Sequence, residues 1–207
     1  MAMLSELLRL RERTIYHVGG QEPAVFFLID RSAGGVLINA PAFDPSLLVE
    51  LQSLAPLRYI YLPSRYGEQD LDQWRDAAGA EVLAHEVEAR ALQGHVDIPI
   101  DHKSKFTRTI SFLPMAGATA GSCALRLRNQ PGVIFFGPAL STGDDGWPTL
   151  VLRDRDHSQE SRLFGALGLQ DLSFEYAFTD DFDPTRSRFG PGAGEAVKRH
   201  VEAILNE

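Results

Sequence analysis

The chain has 207 residues, 44% of them hydrophobic and 23% charged, which is enough apolar material for a folded core and excludes a wholly disordered chain. Its net charge of −8 speaks against nucleic-acid partners and anionic membrane surfaces, since an acidic surface repels both. A single cysteine excludes an intrachain disulfide, and a reducing cytoplasm is the expected location.

The first thirteen residues scatter charges through an interrupted apolar run, unlike a signal peptide. No stretch approaches the roughly 18 apolar residues of a membrane helix, so no membrane association is expected. Leu4, Leu7, Leu8 and Leu10 fit a short amphipathic helix over residues 3–11. Strands are expected over 14–18, 24–30 and 36–39, the last two closed into a hairpin by Arg31-Ser32-Ala33-Gly34-Gly35. Asp44-Pro45 opens a helix to about 54, with Asp as N-cap and Pro in the first turn, where its missing N–H costs nothing. A strand over 58–62, a helix over 68–78, a strand over 81–84 and a helix over 86–92 follow.

The second half turns to β structure, with strands expected over 107–113, 122–128, 132–136 and 149–153. In the second of these, Cys123, Leu125 and Leu127 alternate with Arg126 and Arg128, a period of two that marks a half-buried strand. A helix over 158–167, a strand over 172–178 and a helix over 194–205 complete the chain, the last with Val197, Val201, Ile204 and Leu205 on its apolar face. No repeat or composition break marks a linker, so a single domain over 1–207 is expected. Two packed sheets with helices outside would cover each apolar face.

Four separated segments carry a resemblance to a known family. Ser64-Arg65-Tyr66-Gly67-Glu68-Gln69, after a strand and before a helix, resembles the T-H-x-H-x-D-H loop of the metallo-β-lactamase-fold hydrolases. Gly34-Gly35-Val36-Leu37-Ile38-Asn39-Ala40-Pro41 is similar to G-x-x-L-I-D-x-P. Ala116-Gly117-Ala118-Thr119-Ala120-Gly121-Ser122 is similar to P-G-H-T-P-G-S, and Phe135-Phe136-Gly137-Pro138-Ala139-Leu140 to F-x-G-D-x-L. The resemblance implies an α+β fold, a four-layer αββα sandwich like that of small glyoxalase-II-like hydrolases. It places Ser64, Tyr66, Glu68, Gln69, Ala118, Pro138 and Asp180 or Asp181 at the former metal-site cleft.

The ligands themselves do not carry over. Zinc takes nitrogen, sulfur and carboxylate donors at fixed geometry, and no histidine occupies a matched position. The resemblance therefore implies a metal-free pseudoenzyme without cofactor, binding an unidentified small molecule or protein partner through that cleft. A hydrolase is the alternative, using Glu68, Gln69 and Asp180 or Asp181 as an all-oxygen set for Mg²⁺, Ca²⁺ or Mn²⁺. Glu68 with Asp180 or Asp181 could instead form an acid–base pair. A structural subunit with a filled cleft is the third reading.

Ser64 and Ser122 lie outside G-x-S-x-G and S-x-x-K patterns. His85 stands at a strand-to-helix junction, His102 in a loop, and Cys123 on an inward strand face, where packing is expected. Trp147 suits a partner contact, a lid or core packing. Arg186 and Arg188, before a glycine-rich helix start, form a candidate anion-binding arrangement, with a flexible connection as the alternative. A homodimer is the default assembly.

Overall fold

The structure, a computed structural model, describes residues 3–101 and 103–206; His102 and the Leu205 side chain, both named above, lie outside what is described. The chain divides into two compact units, 1–101 and 102–207.

The first unit is built on a seven-stranded sheet in sequential order, β1 (Leu4–Leu10), β2 (Arg13–Val18), β3 (Val25–Asp30), β4 (Gly34–Ile38), β5 (Leu57–Leu62), β6 (Glu81–His85) and β7 (Ile98–Ile100). The first four strands are antiparallel and the last four parallel. The parallel crossovers carry α1 (Pro45–Leu54), α2 (Leu71–Ala78) and α3 (Glu86–Ala89). Phe27, Leu37, Ile60, Leu62 and Val82 of the sheet pack with Leu47, Leu51 and Trp74 of the helices, all buried. Each such side chain contributes about 1.5–3 kcal/mol by leaving water.

The expected helix over 3–11 is instead strand β1. Its register to β2 slips between Glu6 and Leu8, so Leu7 is an extra residue. A bulge inserts one residue into a period of two, and the resulting Leu spacing imitates a helical one. α1 begins as expected, with the Asp44 carboxylate accepting from Ser46 N–H. α2 starts later than expected, at Leu71: Glu68 is extended and Asp70 is left-handed at φ +44°. α3 is shorter than expected, ending at Ala89.

The second unit holds a four-stranded sheet in the order β13-β10-β9-β8, with β8 (Ile110–Pro114), β9 (Cys123–Leu127), β10 (Val133–Gly137) and β13 (Tyr176–Thr179). The β10–β13 pairing is parallel and the others antiparallel. A two-residue ladder joins β11 (Ser141–Thr142) to β12 (Pro148–Thr149). α4 (Gln159–Leu167) and α5 (Ala193–Leu205) pack Ala166, Ala193, Val197 and Val201 against Ala124, Ile134, Phe136 and Ala177. Three strand expectations are trimmed. Thr107 Oγ1 takes the N–H groups of Thr109 and Ile110, so β8 starts only at Ile110. Residues 150–153 are not strand; there the Arg153 N–H goes to the Asp156 carboxylate and the Val151 carbonyl to Arg162. β13 begins at Tyr176, because the Glu175 and Tyr176 N–H groups converge on one carbonyl, Gly132. Among the described residues no helix is long and apolar enough to cross a membrane.

Candidate functional site

In the first unit, β5 delivers the loop that carries four of the former ligand positions. Ser64 is fully buried and its Oγ accepts from Tyr66 N–H at 3.2 Å, capping the single turn Arg65–Gly67. Glu88 of α3, itself fully buried, takes three donors from Arg65: the backbone N–H at 2.7 Å, Nε at 3.0 Å and Nη2 at 2.9 Å. That charge-assisted contact raises the Arg65 guanidinium above its ordinary value. Gly67 abuts Asn39, whose backbone is left-handed at φ +64° and whose Nδ2 donates to the Ala24 carbonyl at 2.9 Å. Ala40 N–H closes the contact on the Gly67 carbonyl at 2.8 Å.

The remaining side chains of this loop divide by role. Glu68 accepts from Gln93 N–H at 3.0 Å and Gly94 N–H at 2.6 Å, so its carboxylate holds a neighbouring loop in place. Tyr66 is 48% exposed and turned to solvent. Gln69 reaches the Glu22 carbonyl only at 3.5 Å, a weak contact by distance. Beside Glu68 lies a cavity of about 460 Å³ lined by Asp70, Leu71, Asp72, Gln73, Gln93 and Gly94.

In the second unit the turn after β8 is tied by Ser122, whose Oγ donates to the Met115 carbonyl at 2.7 Å. Ala118 in that turn is buried. Gly117, at φ +130°, is required there: a Cβ would lie 2.4 Å from Arg162 Cγ and 2.6 Å from the Ser158 carbonyl. Arg162 of α4 is buried and pairs with Asp156 at 2.7 Å. Its Nη2 donates to the carbonyls of Pro138, at 3.2 Å, and Ala139, at 2.8 Å. The guanidinium thus braces the turn that bears Pro138, and the aliphatic stem of the same side chain lies against Gly117 beside Ala118.

Asp180 and Asp181 follow β13. Asp180 N–H donates to the Gly137 carbonyl at 3.1 Å. Asp181 Oδ1 accepts from Thr142 N–H at 2.9 Å, Thr179 Oγ1 at 2.7 Å and Thr142 Oγ1 at 3.2 Å. Arg186 lies 3.7 Å from the Asp183 carboxylate, and Arg188 stacks over Trp147 at 5.9 Å. The start of α5 receives a carboxylate from its own unit, Glu175, which accepts from Gly192 N–H at 3.1 Å. Trp147 packs on the helix-covered core, the third of its expected roles. His85 caps α3 by accepting from Val87 N–H, and the Cys123 thiol is buried.

Glu88, Asp156 and Arg162 were not foreseen. Glu88 and Arg162 act on residues distant in sequence, Asp156 on its near neighbours Arg153 and Arg162, and hydrophobic periodicity carries no signal for a buried charge. The residues at the former ligand positions do not fit a dinuclear zinc centre. Ala118 and Pro138 offer no donor, Ser64 is a buried cap, and Glu68 is engaged by two amides. Among the described residues, no three His, Cys, Asp or Glu side chains are grouped so as to hold a metal ion.

Solved structures define the class: the chain has the metallo-β-lactamase fold, the α+β sandwich anticipated from the motif frames. A metallo-β-lactamase from Pontibacter korlensis matches with a TM-score of 0.70 at 15% identity, over 99% of this chain and 98% of that one. BJP-1, a subclass B3 metallo-β-lactamase of Bradyrhizobium japonicum, matches at 0.66 and 12% identity, over 96% and 91%. A Cronobacter sakazakii metallo-β-lactamase described by a HARLDQ motif matches at 0.65 and 14% identity, over 93% and 90%. No protein-family model matches the chain, and no curated protein matches it.

Proposed function

We propose that this chain is a metal-free pseudoenzyme of the metallo-β-lactamase fold, a single domain that binds a small molecule or a protein partner through its former metal-site residues. The observation that carries this reading is the changed employment of those residues. Ser64 and Glu68 spend their side-chain oxygens on their own unit's backbone. Ala118 and Pro138 have no metal donor to offer. Asp181 spends one carboxylate oxygen on three donors of its own unit. Loops held this firmly without an ion keep their shape for recognition. The open, largely polar cavity of about 460 Å³ beside Glu68 has room for a small polar molecule, and Tyr66 offers an exposed aromatic ring for contact. A cytoplasmic location and a symmetric homodimer are part of the proposal.

One observation favours a second reading, a hydrolase with an altered ligand set. The HARLDQ motif of the Cronobacter sakazakii neighbour ends in an acid and a glutamine, as Glu68-Gln69 does here. Elemental analysis of protein purified without chelators separates the two. The pseudoenzyme reading expects far less than one tightly held metal ion per chain. Stoichiometric magnesium, calcium, manganese, zinc or iron would overturn it in favour of the hydrolase.

A further inference from the structure

Lys103, Lys105, Arg108, Arg126 and Arg128 fall in a stretch, residues 102–143, that contains no Asp or Glu, although the whole chain has 28 acids against 20 Lys and Arg. The second unit gathers these cations. Ser111 of β8 stands opposite Arg126 of β9, and Lys105 bridges Ser111 from its other side. Residues opposite one another in a ladder project to one face, so Lys105, Ser111 and Arg126 form a cross-strand row. Arg128 lies two residues beyond Arg126 and shares that face. Its N–H continues the ladder to the Thr109 carbonyl at 2.8 Å, and its Nη2 donates to the Arg108 carbonyl at 2.6 Å.

Several arginines elsewhere are paired with carboxylates, as in Arg65 with Glu88, Arg75 with Asp97 and Arg162 with Asp156. Among the described residues no carboxylate comes within ion-pair distance of Lys105, Arg108, Arg126 or Arg128. Lys105, Arg108 and Arg128 are exposed and Arg126 is half-buried. Arg126 Nε is buried without an acceptor. Burial, and then the like charge of Arg128, push Arg126 below its ordinary value. Among the described residues, the row therefore carries positive charge that no carboxylate pairs with.

We propose that the Ser111–Arg126 end of this face, beyond the part that α4 and α5 cover at Ala124, is a docking surface for an acidic segment of a partner polypeptide, whose carboxylates would sit on Lys105, Arg126 and Arg128. Guanidinium forks take carboxylates in bidentate fashion, and Ser111 sits between two of the cations. The charge is local, on a chain that is otherwise strongly acidic. A cluster of a few carboxylates matches a patch of that extent. A nucleic-acid strand or an anionic bilayer continues past the patch and meets the acidic remainder. Within the second unit this surface lies at the end of β8 and β9 opposite the turn that bears Ala118, and it stands or falls independently of the pseudoenzyme reading.

The test is fluorescence anisotropy on the intact chain with a labelled oligoglutamate of about ten residues, in low salt and at physiological ionic strength, where the screening length is about 8 Å. Binding is expected in low salt and is expected to weaken as salt rises. Arg126→Gln/Arg128→Gln is expected to weaken it roughly tenfold or more, and the exposed Lys105→Gln alone about threefold. Arg155→Gln, an exposed arginine outside the patch, should leave it unchanged. Thermal unfolding of each variant checks that it is folded, and Lys105→Gln decides the matter if the double variant is not. Absence of salt-sensitive binding, or equal loss in Arg155→Gln, overturns the proposal. Tighter binding to an oligothymidylate of similar length or to phosphatidylserine vesicles overturns the polypeptide as occupant.

Discussion

At Gly67 the loop has room for a hydrogen atom and little else. A Cβ there would lie 1.9 Å from Asn39 Oδ1 and 2.6 Å from its Cγ. Asn39 cannot easily step aside, because its Nδ2 is bonded to the Ala24 carbonyl and its backbone is already left-handed. Gly67→Ala is expected to destabilise the protein by about 2–4 kcal/mol, through overpacking and a broken buried hydrogen bond. A lower urea midpoint at unchanged slope would register it. Gly79→Ala is the control: Gly79 is also left-handed, at φ +64°, but nothing lies within 4 Å of the added Cβ. It should cost only about 1–2 kcal/mol of backbone strain. Equal losses at the two positions would mean that contact with Asn39 plays no part. The Gly67 position was legible as part of a motif frame. Its dependence on Asn39 was not, because the two meet only through the pairing of β4 with β5.

Elements were legible wherever local chemistry decides them. The β3–β4 hairpin needs only two apolar runs and a small-residue turn, and α1 needs only Asp44 at its cap. β1 was misread because its bulge at Leu7 breaks the period of two, and residues 150–153 because their polar groups serve Asp156 and Arg162 instead of a ladder. The tie between α2 and β6 was equally invisible in sequence. Asp97 accepts from Arg75 Nε at 2.9 Å and Nη2 at 2.9 Å, and also from Val82 N–H at 2.9 Å. Arg75 first, with help from Val82 N–H and against the effect of burial, holds the Asp97 carboxyl below the usual carboxylate range. A depressed folded pKa gives stability that is present above the unfolded value, about 3.9, and that is lost as pH falls through the folded value. The urea midpoint of the native protein should therefore drop more steeply below about pH 4 than that of Asp97→Asn, whose neutral amide has no such charge to lose. Parallel curves for the two proteins would show that the pair contributes no linked stability.

For the whole molecule, the separation of fold from ligands makes a thermodynamic demand. An ion that binds only the folded state stabilises it by about 2.7 kcal/mol at a hundredfold excess over its Kd. For a chain of 207 residues that corresponds to a rise in Tm of roughly 5–10 °C. A metal-free pseudoenzyme lacks this term, so zinc at about 100 μM or a chelator at about 1 mM should each move Tm by less than about 1 °C, within the non-specific effect of added ions. The net charge of −8 attracts divalent cations loosely to the surface, so the comparison needs sodium chloride at matched ionic strength. A rise of several degrees with zinc above that control, reversed by the chelator, would mean that side chains at the former ligand positions leave their present partners to bind metal. Glu68 would then have to release Gln93 and Gly94, and the adjoining cavity would reshape with it. Unchanged melting would mean that Ser64, Glu68, Glu88 and Arg162 hold these loops by themselves, without an ion.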